Sequence, residues 1–292
     1  MFTATIGFFD GVHRGHRCLI QQLMELATER NEQAMIITFD VHPRQIMQTN
    51  YVPQLLTLPE EKMNLLNETE ADNVVMLHFA HEMSLLSSTE FMKLLHDDYN
   101  VDCLLMGYDH RFGHDGGDIS DYVERGRNVG IEVFVAKELK EEKVSSRIIR
   151  NLIEDGDLLK ANDLLGYEFQ VTAPVVHGHE VGRSLGFPTA NLSWPEGKIL
   201  PEEGVYAAWA TLPDGSKMKA MLNIGCRPTI NNGENITVEV HILDFDGELY
   251  GLPLTIDFVA KLRDEMRFEN KQTLIKQLRK DAAFVKLAME EV

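Results

Sequence analysis

The first half of the chain alternates short apolar runs with segments in which apolar residues recur at helical spacing. After His16, the apolar side chains Leu19, Ile20, Leu23 and Leu26 repeat every one to three positions along one face, which predicts an amphipathic helix. Strands that alternate with helices in this way predict a parallel, doubly wound α/β sheet, whose ligands bind at the carboxyl ends of the strands. The predicted strands are residues 3–7, 34–39, 73–77, 102–107 and 132–135.

From residue 167 the pattern becomes one of strands without intervening helices. Such a run predicts an antiparallel β-barrel or sandwich, and an apolar face over residues 271–289 predicts a helix at the end of the chain. Residues 145–166 are predicted as one or two helices that close the first domain. The chain is thus expected to form two domains, residues 1–166 and 167–292. The predicted strands of the second domain are residues 169–176, 205–212, 217–224, 237–243 and 254–262.

Composition narrows the classes of partner. The 292 residues include 46 acidic and 28 basic side chains, for a net charge of −18, which disfavours a sequence-independent nucleic-acid binder or a protein of anionic membrane surfaces. Small anionic substrates remain compatible, because single arginines can form local positive sites. Cys18, Cys103 and Cys226 lack motif spacing and suggest a reducing compartment. Without a bilayer-spanning apolar run or a secretory signal pattern, the sequence predicts a soluble cytoplasmic protein.

Residues 7–16 place three glycines and two histidines in the connection between the first predicted strand and the first predicted helix. Glycine lets backbone N–H groups approach an anion, and a helix N-terminus adds positive partial charge, so the turn is a candidate phosphate site. His13 and His16 stand where either could hydrogen-bond a phosphate. Two other interpretations stay open from these residues alone: a metal-binding histidine pair, and an ordinary glycine-rich turn whose histidines are solvated. Polar residues also follow the second and fourth strands, so three loops are expected to converge on one edge of the sheet.

A second candidate site lies in the predicted barrel. A glycine loop over residues 178–186 is suited to fold over nucleotide phosphates. If Thr189 and Asn191 lie on a strand, they share one face of it, where their oxygens could hold Mg²⁺. Glu239 projects from a later strand and is a candidate general base for a hydroxyl. The alternatives are that Thr189 and Asn191 cap a turn and that Glu239 is simply solvated.

Nine segments, taken in order, resemble the motifs of one family. In the first half they are T-I-G-x-F-D-G-V-H-x-G-H at 5–16, T-F-D-x-H-P at 38–43, G-x-D-x-R-F-G at 107–113 and S-S-x-x-I-R at 145–150. In the second half they are G-R-x-L-G-F-P-T-A-N at 182–191, G-V-Y-A at 204–207, N-I-G-x-R-P-T at 223–229, V-E-V-H-x-L-D-F at 238–245 and L-R-x-E at 262–265. Over nearly its whole length, the chain resembles the bacterial bifunctional riboflavin kinase/FAD synthetase family.

The resemblance implies that the C-terminal domain is a riboflavin kinase barrel, which transfers the γ-phosphate of ATP to the ribityl hydroxyl of riboflavin and gives FMN. Glu239 would be the general base, while Thr189 and Asn191 would coordinate Mg²⁺–ATP. This agrees with the physics of phosphoryl transfer, which needs positioning, charge neutralisation and an oriented nucleophile. The residues that would bind ATP or flavin are Gly178, Gly182, Arg183, Phe187, Pro188, Arg263 and Glu265.

The resemblance also implies that the N-terminal domain is a nucleotidylyltransferase, which joins AMP to FMN and releases FAD and pyrophosphate. His13 and His16 would stabilise the α-phosphate and the leaving pyrophosphate, and Arg150 would grip the outer phosphates. The partners would be riboflavin, FMN, FAD and ATP, with neither nucleic acid nor membrane. The other residues that would hold the nucleotide or FMN are Gly7, Phe8, Asp10, Gly11, Asp109, Arg111, Ser145 and Ser146.

The departures from the family pattern lie in the first half. Val41, His110 and Arg147 stand where the pattern has proline, phenylalanine and threonine. Arg147 removes a hydroxyl near the phosphates, which leaves open a riboflavin kinase with an impaired adenylyltransferase domain. A non-catalytic flavin or nucleotide sensor is a third interpretation, disfavoured because the candidate base and metal ligands are present. The chain also begins almost at its first strand, where many members of the family carry a short leader, so a missing N-terminal segment is a further expectation.

Overall fold

The chain divides into two compact units, Met1–Ser146 and Arg147–Val292. The computed structural model describes residues 1–48, 50–52, 54–138, 143–178, 182, 185–228 and 234–289, with only the backbone at 226–228 and 234–235. Within these described ranges, no helix combines the length and the apolar character needed to cross a membrane. The domain boundary predicted at residue 166 stays a prediction.

The first unit is built on a five-stranded parallel sheet of order β3-β2-β1-β4-β5. Its core contains buried apolar side chains of the strands, such as Ala4, Ile37 and Leu104, packed against Phe91 and Leu95 of a helix. The doubly wound α/β prediction is confirmed. The strands are β1 (Phe2–Ile6), β2 (Gln33–Phe39), β3 (Asn73–Leu77), β4 (Val101–Met106) and β5 (Glu132–Val135). The helices are α1 (Arg14–Arg30), α2 (Pro43–Met47), α3 (Pro59–Asn67), α4 (His81–Ser84), α5 (Ser88–Tyr99) and α6 (Ile119–Val129).

The second unit is a closed barrel of order β10-β7-β6-β11-β8-β9, in which neighbouring strands are antiparallel. The predicted antiparallel barrel with a C-terminal helix is confirmed. The strands are β6 (Phe169–Val176), β7 (Ala190–Leu192), β8 (Gly204–Thr211), β9 (Lys217–Pro228), β10 (Glu234–Ile242) and β11 (Pro253–Arg263). The helices are α7 (Ser146–Glu154), which begins at the last residue of the first unit, α8 (Leu158–Leu165) and α9 (Lys271–Ala288).

Two features of the barrel go beyond the predicted elements. The three-residue strand β7 carries too short a run to give a period-two signal. Strand β9 continues to Pro228, four residues beyond the predicted end. Both β7 and β9 pair with β10, so they determine what lies beside Glu239.

Candidate active sites

The turn between β1 and α1 has a strained backbone. Phe9, Gly11 and Val12 have positive φ angles of 53°, 81° and 36°. A β-branched residue such as valine rarely adopts a positive φ, and strain of this kind is concentrated at functional sites. Phe9 and Val12 are both buried, at 2% and 0% exposure, so packing holds the turn in this conformation. Gly7 leaves space for the turn, because a side chain there would meet the ring of Phe9.

Asp10 braces this turn from inside the protein. Its Oδ1 accepts hydrogen bonds from the backbone N–H groups of Leu56 and Thr57, at 2.9 and 3.1 Å. The Thr57 hydroxyl in turn accepts from the Gly11 N–H at 3.0 Å, and the Asp10 carbonyl accepts from Ser146 Oγ at 3.0 Å. The ligand contacts predicted for Asp10 and Gly11 remain predictions, since the hydrogen bonds described here lie within the protein.

His13 and His16 form a stacked pair at the start of α1. Their ring centroids lie 3.7 Å apart with an interplanar angle of 13°. His13 is the N-cap, and its Nδ1 accepts the His16 N–H at 3.3 Å, so in the neutral ring the proton sits on Nε2. Burial, followed by the positive potential of His13, Lys62 and His110, holds the pKa of His16 well below its usual value. His16 is therefore neutral at physiological pH, and its buried Nδ1 has no hydrogen-bond partner in the described part of the chain.

Beneath the turn lies a buried lysine. Lys62 of α3 is 1% exposed, its Nζ donates to the Phe39 carbonyl at 2.6 Å, and it lies 3.7 Å from the ring centroid of Phe8. Burial lowers the pKa of Lys62 to about 8, against the opposing effect of the Asp10 and Asp40 carboxylates. A positive charge is thus fixed behind the predicted phosphate site.

A cavity of about 270 Å³ opens at the histidine pair and brings together residues of four chain segments. Because β1 lies between β2 and β4 in a parallel sheet, the loops after these strands meet at one edge, as predicted. Asp109, Ser145 and Ser146 line the cavity with His13 and His16, so five of the predicted site residues meet here. Lining residues that the sequence analysis did not single out include Cys18, Tyr108, Lys137, Glu138 and Lys143.

Other predicted residues of this site are not among those that line the cavity. Arg111 is exposed, and its Nη1 donates to the His110 carbonyl at 2.7 Å. Phe8 packs edge-on against His42, with ring centroids 4.7 Å apart. Arg150 lies on α7 in the second compact unit. The predicted ligand contacts of these residues, and of Gly7, stay predictions.

In the barrel, strand register aligns the candidate base with the candidate metal ligands. Glu239 of β10 is paired with Asn191 of β7 on one side and with Asn223 of β9 on the other. Thr189, two residues before Asn191, donates its hydroxyl to Glu239 Oε2 at 3.3 Å. The three side chains singled out in the sequence therefore form one oxygen-rich cluster.

Two glycines of the predicted phosphate loop make space for this cluster. A Cβ at Gly178 would lie 2.1 Å from the Asn191 amide nitrogen, and one at Gly182 would lie 2.3 Å from the Phe187 carbonyl oxygen and 3.2 Å from Thr189 Oγ1. Gly182 also accepts the Phe187 N–H at 3.0 Å, which closes the loop. Arg183, predicted to bind ATP, lies outside the described residues.

His241 fixes the chain just before Thr189. Its Nδ1 donates to the Pro188 carbonyl at 2.8 Å, and its ring packs edge-on against Phe187 with centroids 5.2 Å apart. The alternation of β10 puts His241 on the same face as Glu239, which was the one sequence signal for it.

A cavity of about 330 Å³ lies over this cluster and is closed partly by α9. Glu239, Thr189, Arg263 and Glu265 line it, together with apolar side chains suited to a flat ring. Arg263 is held by Asp281 of α9, whose Oδ2 accepts from Nε and Nη2 at 3.0 and 2.9 Å. Glu265 accepts from the Asn223 amide at 3.1 Å. The apolar and aromatic lining residues are Leu185, Phe187, Val205, Met221, Leu222, Met266, Phe268, Leu274 and Leu278.

A second cavity, of about 360 Å³, shares Thr189 with the first. Its wall includes Pro188 and the segment from Phe245 to Tyr250. Tyr250 stacks on His177, with ring centroids 4.0 Å apart. The two cavities thus have Thr189 in common.

A parallel sheet with a histidine pair at one cavity, followed by a closed barrel with a carboxylate at another, fits a two-domain transferase. The FAD synthetase family matches residues 2–148, and the riboflavin kinase family matches residues 165–289. The chain belongs to the bifunctional riboflavin kinase/FAD synthetase family. The predicted family and its two enzyme activities are confirmed, and neither the impaired enzyme nor the sensor is favoured.

Individual relatives agree over the whole chain. The bifunctional riboflavin kinase/FMN adenylyltransferase of Escherichia coli K12 is 35% identical over 281 residues, which cover 95% of this chain and 89% of the relative. The enzyme of the same description from Pseudomonas fluorescens is 36% identical over 284 residues, which cover 96% of this chain and 90% of the relative. A solved structure described as a macrolide-efflux protein from Streptococcus pneumoniae has a TM-score of 0.87 and 27% identity, covering 97% of this chain and 93% of that one. Both domains therefore have the order and fold of these relatives.

Proposed function

We propose that riboflavin phosphorylation takes place at the Thr189 hydroxyl, between the two barrel cavities. Riboflavin would occupy the 330 Å³ cavity, where apolar side chains face its ring system, and ATP would occupy the 360 Å³ cavity. The observation that carries this proposal is that Thr189 lines both cavities and touches Glu239. The acceptor hydroxyl and the γ-phosphate would then meet beside a carboxylate.

In this arrangement Glu239 acts as the general base. It takes the proton of the terminal ribityl hydroxyl while that oxygen bonds to the γ-phosphorus, and the bond from phosphorus to the β,γ-bridging oxygen breaks to release ADP. Arg263 and Glu265 would position the flavin, because both line the cavity and both are held by neighbouring side chains.

Thr189 and Asn191 fit a magnesium ion carried by ATP. Hydroxyl and amide oxygens are hard ligands, and Mg²⁺ binds through few protein groups while phosphates and water complete its shell. Gly178 and Gly182 support this fit, since any side chain there would displace the two ligands. When bound, the ion neutralises charge on the β- and γ-phosphates.

Adenylyl transfer takes place in the N-terminal unit, in the 270 Å³ cavity at the histidine pair. ATP would lie with its phosphates against the N-terminus of α1, where Gly15, His13 and His16 line the wall. An FMN phosphate oxygen bonds to the α-phosphorus, and the bond to pyrophosphate breaks. Imidazole N–H groups at His13 and His16 would donate to the oxygens on which charge develops. The Lys62 ammonium adds a fixed positive potential behind them.

The remaining contacts are assigned by motif position. Ser145, Ser146, Lys143 and Asp109 line the nucleotide cavity, and Arg150 would hold the outer phosphates, as its motif position implies. By the same reasoning from its motif position, Arg183 is assigned to the phosphates of the ATP used in the kinase reaction. The cytoplasmic location stays a prediction.

The two-site assignment is tested with His16→Ala. Purified protein is incubated with ATP, Mg²⁺ and either riboflavin or FMN, and the flavins are separated by chromatography. We expect FMN to form from riboflavin at the wild-type rate, while FAD formation falls by about 10²–10³-fold, the usual cost of removing a donor to the transition state. Loss of both activities in a folded protein would contradict two separate sites, and full FAD formation would contradict the role of His16.

A further inference from the structure

The backbone pairing of β7 with β10 stops one residue short of Thr189. The last pair in the register is Val240 opposite Ala190, where β7 begins. One further pair would join His241 to Thr189. Pro188, the residue before that, has no N–H group with which to extend the ladder. The described pairing of β7 with β10 therefore ends before the hydroxyl that the kinase site needs.

The His241 side chain makes the connection that the backbone does not. Its own backbone is held on the barrel, because β10 pairs His241 with Met221 of β9. Its Nδ1 donates to the Pro188 carbonyl at 2.8 Å, and its ring packs edge-on against Phe187. A carbonyl oxygen only accepts, so Nδ1 carries a proton, as it does in both the protonated ring and one neutral tautomer. The hydrogen bond is therefore compatible with either charge state of His241.

This hydrogen bond joins the wall of one barrel cavity to the wall of the other. His241 lines the cavity of about 330 Å³ that is proposed for riboflavin. Pro188 lines the cavity of about 360 Å³ that is proposed for ATP. Thr189 follows Pro188, lines both cavities and donates to Glu239 at 3.3 Å. A side chain on the flavin side thus holds a chain segment on the nucleotide side.

We propose that His241 is a positioning residue of the kinase reaction, which acts through the Pro188 carbonyl to hold Thr189 beside Glu239 and in the wall of the nucleotide cavity. It acts on the use of ATP rather than on the flavin, although its side chain lies in the wall of the flavin cavity. The role requires a donor at Nδ1 and no transfer of a proton. The inference rests on the kinase site proposed at Thr189.

Two substitutions separate the hydrogen bond from the packing of the ring. His241→Asn removes the ring, but its amide nitrogen can take the position of Nδ1 and donate to Pro188. His241→Phe keeps a ring against Phe187 and has no donor. FMN formation is measured with riboflavin and ATP varied in turn. For His241→Phe we expect KM for ATP to rise and kcat to fall by about 10²-fold, the cost of a displacement of about 1 Å in a catalytic site. KM for riboflavin should stay near its wild-type value, and His241→Asn should recover most of kcat.

Folding of the barrel is followed separately by tryptophan fluorescence. The chain has two tryptophans, Trp194 and Trp209, and both lie in the second compact unit. Both variants should unfold in urea near the wild-type midpoint. If His241→Phe does not fold, His241→Ala is compared with His241→Asn, since both lack the ring and only asparagine has the donor.

Three outcomes would overturn the inference. These are wild-type kinetics in His241→Phe, a His241→Asn variant as impaired as His241→Phe, and a rise in KM for riboflavin alone. Thr189→Val separates this failure from failure of the proposed kinase site. If Thr189→Val lowers FMN formation and His241→Phe leaves it unchanged, only the role of His241 is wrong. If neither variant lowers FMN formation, the kinase site proposed at Thr189 is wrong as well.

Discussion

Replacing Glu239 with glutamine isolates its role as a base. Glutamine keeps the size of the side chain, and its carbonyl oxygen can still accept the hydrogen bond that Thr189 donates at 3.3 Å. The geometry of the cluster should survive, while the ability to take a proton is lost. General-base catalysis contributes about 10²–10⁴-fold, or about 2.7–5.4 kcal/mol at 1.36 kcal/mol for each factor of ten.

A merely structural role for Glu239 predicts a much smaller effect. A hydrogen bond to a carboxylate contributes about 1.5–3 kcal/mol and one to a neutral amide about 1 kcal/mol, so exchanging the two would slow the kinase by at most about 30-fold. The assay is the initial rate of FMN formation at saturating riboflavin and ATP, with FAD formation from added FMN measured in parallel. Glu265→Gln is the matched control, because it makes the same chemical change on another wall of the same cavity. It should raise KM for riboflavin and leave kcat largely unchanged. A kcat loss below about 30-fold in Glu239→Gln, or a parallel loss of FAD formation, would refute the assignment.

Three further predictions concern the loop, the C-terminal helix and pH. Gly182→Ala should raise KM for ATP in the kinase reaction by at least tenfold, because its Cβ would meet a backbone oxygen at 2.3 Å; unchanged kinetics would show that the loop adjusts freely. Asp281→Asn leaves the Arg263 guanidinium without its charged partner, and urea unfolding should show the barrel destabilised by about 3 kcal/mol; the reasoning fails if the loss is below 1 kcal/mol. The folded-state pKa of His110 is about 4, below its unfolded value of 6.5, so the unfolded chain binds the proton more readily. Stability should therefore be lost as the pH falls below about 6.5, by about 2 kcal/mol at pH 5 relative to pH 7.5. His110→Phe should flatten this slope in urea titrations, and an identical slope would contradict the shift.

The sequence predicted both folds because the relevant signals are local and periodic. The strands of the first sheet alternate with helices, and the barrel strands follow one another with turns between them, so fold class follows from pattern. Strand β7 escaped prediction because three residues carry no period. Strand β7 forms because it pairs with β6 and β10. Pairing between segments that are distant in the sequence cannot be recognised from a local pattern of residues.

The candidate sites were predicted unevenly. His13, His16, Thr189, Asn191 and Glu239 were found because they stand in motif order, and the structure brings each group together. Lys62 was missed, since a lysine in a helix is normally solvated and only tertiary packing buries this one. The partner of Arg263 was missed for a related reason. Asp281 lies 18 residues further along the chain, on α9. The apolar pattern of that helix does not show whether a polar residue such as Asp281 is buried or exposed to solvent.

The pairing of Glu239 with Asn191 makes the kinase site dependent on strand register. Side chains alternate between the two faces of a strand, so a shift of one residue would move the carboxylate to the opposite face from the Thr189 hydroxyl. Removing a single residue from the first half of β10 should therefore abolish FMN formation more completely than most single substitutions in the cavity wall. Kinase activity therefore depends on the alignment of β7 with β10 as well as on the residues themselves. Natural variation in β10 should consist of substitutions rather than insertions or deletions.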